Sequence, residues 1–108
     1  MVQDAYGIDP ALGQLVEAYI KDESLFEVVE AHLAQAGKRQ PHQQALWDLI
    51  YHALNHFDID AGIRASDAKY SDLAVSRLRA VASALMSGSV GDVHLAALRY
   101  LGARLPGS

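Results

Sequence analysis

The sequence predicts an all-α fold: a single-domain antiparallel helical bundle of four to five helices with short loops, spanning residues 1–108. Three observations predict it. Wherever a period is readable, apolar residues recur at three- and four-residue spacing, the signature of one helix face. Capping residues, prolines and glycines interrupt that pattern at helix-length intervals. No stretch alternates apolar and polar residues as a half-buried strand does, and no internal repeat or low-complexity linker divides the chain.

Residues 1–8 read as a loose terminus. Asp9 is a natural N-cap, with Pro10 at the first helical position, where its missing N–H costs nothing. Leu12, Leu15, Val16, Tyr19 and Ile20 form the buried stripe of a first helix, and Asp22 and Glu23 interrupt it. Ser24-x-x-Glu27 has the form of a capping box for a second helix. Its apolar face is Leu25, Val28, Val29, Leu33 and Ala36, with His32 projecting from the middle and Gly37 as C-terminal cap. Lys38 and Arg39 follow where they meet the carbonyl end of the helix.

The third helix is the longest pattern, PHQQALWDLIYHALNHFDID from Pro41 to Asp60. Leu46, Leu49, Ile50, Ala53, Leu54 and Phe57 share a face at about 100° per residue. Trp47, the only tryptophan, and Tyr51 border that face. On the other border Asp48, His52, His56 and Asp60 follow at four-residue spacing, a stripe that drifts by about 40° per step toward the apolar side. Residues 58–66, DIDAGIRAS, either end this helix or extend it, and Gly62 weakens the longer version. Ser66 or Asp67 caps a fourth long helix with the stripe Tyr70, Ala74, Leu78, Val81, Ala82 and Leu85, whose alanines admit a close neighbour. Gly88 ends it. Ser89 and Asp92 make a box-like start for the last helix, lined by Val90, Val93, Ala97, Leu98 and Leu101. His94 falls within that line and Leu95 points the other way. The tail 106–108 should fray.

A chain of 108 residues buries roughly 65% of its unfolded surface, enough for one modest core. The absence of cysteine excludes disulfide scaffolds, thiolate metal sites and thiol catalysis together. No apolar run approaches the roughly 20 residues of a membrane span, so no membrane association is expected. The start, MVQDAYGIDP, has neither the basic nor the apolar region of a signal peptide, and the expected compartment is cytoplasmic. Residues 1–63 carry three basic side chains against ten acids, a net of −7. Residues 64–108 carry six against three, a net of +3. Either the halves pack against each other with complementary fields, or an acidic face steers a basic partner.

The histidines are the one constellation suited to chemistry. His32, His56 and His94 lie in or beside the stripes of three helices, and His52 is one turn from His56. Neutral imidazole is the commonest side-chain metal ligand, and an H-x-x-x-H pair presents two such ligands about 6 Å apart. Asp48 and Asp60 are roughly 18 Å apart along the axis, so the full stripe cannot hold one ion. A site for a divalent transition metal needs His52 and His56 with His94 or His32 from another helix. The plainer alternative is histidines bonded to backbone or carboxylate.

Other chemistries fail on spacing. His52 to His56 reads HALNH, without the glutamate a zincin uses as base. The paired Glu-x-x-His segments of di-iron bundles are absent. Asp58-x-Asp60-x-Gly62 puts Lys69 where a calcium loop needs glutamate. No G-x-S-x-G elbow or phosphate-cradling glycine loop occurs. Nucleic acid is disfavoured, because the basic residues are spread over two helices of an acidic chain. The expectation is a non-enzymatic interaction or regulatory module of adaptor, antitoxin or immunity type. It would bind a protein partner, a basic one by the charge argument, or a second copy of itself as a homodimer. Trp47, Tyr51 and Leu95 are its candidate interface residues.

Overall fold

The computed structural model describes residues 8–102, and every element in it is helical. The elements are α1 (Pro10–Lys21), α2 (Phe26–Arg39), α3 (Gln44–Ile59), α4 (Ala61–Ser66), α5 (Ala68–Ser87) and α6 (Val90–Leu101). Short 3₁₀ turns at Glu23–Leu25 and Pro41–Gln43 lead into α2 and α3. The frayed termini expected at 1–8 and 106–108 lie outside the described residues except for Ile8, which packs against the core.

Local signals explain most helix starts. The Asp9 carboxylate accepts from the Leu12 N–H at 3.0 Å, with Pro10 in the first turn. Asp67 accepts from the Tyr70 N–H at 3.0 Å and opens α5. Ser89 and Asp92 close a reciprocal box over the first turn of α6. Two expectations need correction. Ser24 does not cap α2, because Asp22 captures both its N–H (3.1 Å) and its hydroxyl (2.6 Å) and turns the chain into the 3₁₀ segment. Those bonds hold the Asp22 carboxyl below its usual range. Gly37 does not end α2 either. The helix continues to Arg39, and Gly37 is buried with the Gln44 side chain against it.

Six α-helices stand among the described residues, where four to five were expected. The additional one is α4, within residues 58–66, where the periodicity fits either an end or an extension of the third helix. Asp60 leaves helical geometry at ψ 11°, and its carboxylate is engaged by both His56 and Tyr70. The helix resumes for six residues until Asp67 extends the backbone.

One buried cluster joins α1, α2, α3, α5 and α6, centred on Leu12, Val16, Tyr19, Ile50, Phe57, Leu78 and Leu85. The helices neighbour one another in a closed circuit: α1 on α5, α5 on α6, α6 on α3, α3 on α2, and α2 back on α1. The α1–α5 contact is the most extensive. Gly13 enables it, since a Cβ there would meet the Ala82 carbonyl oxygen at 2.7 Å and the Met86 side chain. No described helix is long and apolar enough to cross a membrane.

Candidate functional site

The structure separates the histidines. His32 on α2 pairs through Nε2 with Asp9 Oδ2 at 2.9 Å, so that Asp9 caps α1 with one oxygen and ties α2 to it with the other. His94 is exposed on the outside of α6 rather than within its buried line. His52 is exposed on α3. His56, one turn on, is partly buried with its Nδ1 3.1 Å from Asp60 Oδ2. A carboxylate can only accept, so Nδ1 carries the proton. The Tyr70 hydroxyl donates to the same Asp60 oxygen, and the Tyr100 ring meets the His56 ring edge-on at 6.4 Å. His52 and His56 share a groove of about 380 Å3 with Asn55, Ile59, Asp60 and Leu101. Among the described residues, no group of three or more His, Asp or Glu side chains is arranged to hold a metal ion.

The three candidate interface residues fall on two surfaces. Trp47 is only 3% exposed, deeper than its border position in the pattern suggests. It belongs to the floor of a groove between α2 and α3, about 200 Å3 in volume, together with Leu33 and the half-buried Tyr51. Glu30 and Asp48 stand on its rim, both exposed, with Ala34 and Gln44 completing it. Gln44 donates to Asp48 at 2.8 Å across one helical turn. The lining contains two carboxylates and no cation. The Trp47 indole N–H has no hydrogen-bond partner among the described residues.

Leu95 lies elsewhere, on the outer face of α6, and is 56% exposed. Leu98 (43%) and Val90 (37%) are exposed as well, although the periodicity assigns them to the core. The buried line is Val93, Ala97 and Tyr100. Tyr100 was the signal that could have set this phase, since an amphipathic ring can bury its body while its hydroxyl stays polar.

Two polar contacts that no local pattern announces close the far end of α3. Arg64 is 7% exposed, donates to Glu23 Oε1 at 2.8 Å and stacks over the Phe57 ring at 3.6 Å. The Tyr19 hydroxyl donates to Asp58 at 2.8 Å, with its ring between Phe26 and Phe57. Burial, followed by that hydrogen bond, pushes the Tyr19 phenol far above its ordinary pKa. These groups pin α1, α3 and α4 together.

No family model matches the chain, and neither a curated protein nor a solved structure does.

Proposed function

We propose that the protein is a non-enzymatic helical interaction module whose α2–α3 groove docks a basic segment of a protein partner. The carrying observation is the groove itself, an aromatic and aliphatic floor of Trp47, Tyr51 and Leu33 under a rim of Glu30 and Asp48. A floor of this kind takes the aliphatic stem of an arginine or lysine, and the carboxylates take its charged head. Arginine and aromatic residues dominate binding hot spots for the same reason. Glu27, exposed about one turn before Glu30, extends the acidic rim along α2. The short connections between consecutive helices support an antiparallel bundle as the rigid frame that holds this groove open.

The test is retention on immobilised protein at low salt, compared with a Glu30→Lys/Asp48→Lys variant. The expected result is a partner released as salt rises toward about 0.5 M, where screening is strong. The double variant should not retain it. Equal retention by both proteins contradicts the proposal.

A second reading places a divalent transition metal on the His52–His56 pair alone, since His32 is taken by Asp9 and His94 stands on the outside of α6. Its support is the Asp60 carboxylate behind His56, since metal-bound histidines usually donate their second N–H to such a group. Calorimetric titration of untagged protein with zinc, nickel or copper decides it. Heats that persist in His56→Ala dismiss that pair as the site.

A further inference from the structure

α6 shows a second surface, on the opposite flank of α3 from the groove, with an uncharged arc along one side of its exposed face. Taking about 100° per residue from Val90, the residues Val90, Leu101, His94, Leu98, Gly91 and Leu95 fall within an arc of about 140°. Val90, Gly91, His94, Leu95 and Leu98 are all exposed. Asp92 and Arg99 lie just beyond this arc, both on the same flank and both exposed. They are seven residues apart, which brings them to within about 20° of each other, about 10 Å apart along the axis.

From this arrangement we infer that the outer face of α6 pairs with the same face of a second copy, antiparallel about a two-fold axis near Leu95–Ala96. The argument is charge complementarity combined with symmetry. In an antiparallel helix pair, a flank of one helix meets the same flank of its partner. With the axis midway between Asp92 and Arg99, Asp92 of each copy meets Arg99 of the other. Two reciprocal ion pairs form, and no like charges face one another. A parallel pairing turns that flank away from its counterpart and forms neither. The same register brings Leu98 of each copy level with Gly91, His94 and Leu95 of the other, where the missing side chain of Gly91 leaves open space. The surface is therefore self-complementary, as a two-fold interface must be. A single pair of 12-residue helices covers less than the roughly 1,200 Å2 of a standard stable interface. The dimer is accordingly weak and depends on concentration. It leaves both α2–α3 grooves open.

Sedimentation velocity over concentrations up to about 1 mM tests the inference, a range suited to weak complexes. Wild-type protein should pass from monomer to dimer, and Leu98→Asp should remain monomeric. Arg99→Asp and Asp92→Arg should each self-associate at least about tenfold more weakly, because each replaces two attractive pairs with two repulsive ones. An equimolar mixture of these two should recover association, since each protein then meets its opposite charge. Circular dichroism checks that all variants are folded, and Arg99→Asp leaves the Ser89–Asp92 cap intact. Wild-type protein that stays monomeric throughout, or a mixture no stronger than its components, overturns the pairing. The α2–α3 groove uses different residues, so neither result bears on it.

Discussion

Tyr19 shows how one residue couples burial to pH. Its ring is fully buried and its hydroxyl donates to Asp58, so the folded protein strongly favours the neutral phenol. An unfolded tyrosine loses its proton near pH 10. Above that pH the unfolded chain releases a proton that the folded chain keeps, and mass action favours unfolding. The stability that Tyr19 contributes is complete below about pH 10 and falls as pH rises further. Denaturant midpoints measured from pH 8 to 11 should decline more steeply for wild type than for Tyr19→Phe, which has no phenol at that buried position to titrate. Parallel profiles would show that the Tyr19 proton is not linked to folding. At this scale the sequence is legible where bonds are local. Asp9, Asp67 and the Ser89–Asp92 pair cap helices three residues ahead, a spacing that can be read directly. Ser24 misleads because Asp22, two residues earlier, competes for the same N–H and hydroxyl. Arg64 on Glu23 and Tyr19 on Asp58 join residues 41 and 39 positions apart, and no sequence pattern announces them.

At the scale of elements, α1 and α5 depend on one missing side chain. A Cβ on Gly13 would press on the Ala82 carbonyl oxygen, a backbone atom that cannot rotate away, so the helices would have to separate. Gly13→Ala should therefore destabilise by about 1–3 kcal/mol in chemical denaturation, despite alanine's better helix propensity. A neutral or stabilising result would mean that the two helices are not in close contact. The stripe of alanines on α5 did signal a close neighbour in the sequence, but which residue approached it did not follow from periodicity. α6 shows the limit of periodicity more plainly. Val90 and Leu98 are apolar and correctly spaced, yet they face outward while Val93, Ala97 and Tyr100 face in. Two overlapping apolar stripes fit the same 12 residues, one serving the core and the other facing outward. α4 escaped for a different reason. Its start is set by Asp60, whose turn is fixed by side-chain bonds to His56 and Tyr70 rather than by a local breaker.

For the whole molecule, the uneven charge divides into a paired part and an exposed part. Arg64 on Glu23 and Arg79 on Glu17 (3.3 Å) link the basic half to the acidic half, as complementary packing requires. Asp9, Asp58 and Asp60 are engaged by His32, Tyr19, and His56 with Tyr70. Glu27, Glu30 and Asp48 are left to face solvent, and the last two rim the α2–α3 groove. Charge counting in the sequence could show that an acidic excess existed, and folding determines which part of it remains at the surface. The histidine set separates by the same logic, because His32 pairs with Asp9 and His94 is exposed on α6, while only His52 and His56 share a groove. The α2–α3 groove and the α6 face lie on opposite flanks of α3, which packs on α2 and on α6, so the proposed pairing leaves both grooves open.

The groove has a built-in reporter, since Trp47 is the only tryptophan and lies in its floor. The decisive measurement is a titration of intrinsic fluorescence with a short arginine-rich peptide at low salt. A side chain entering over the indole should change its emission saturably. The apparent Kd should weaken with salt, and by about tenfold or more in Glu30→Lys/Asp48→Lys. Unchanged Trp47 emission, or an identical titration by the charge-reversed variant, would contradict the assignment of this groove as the docking site.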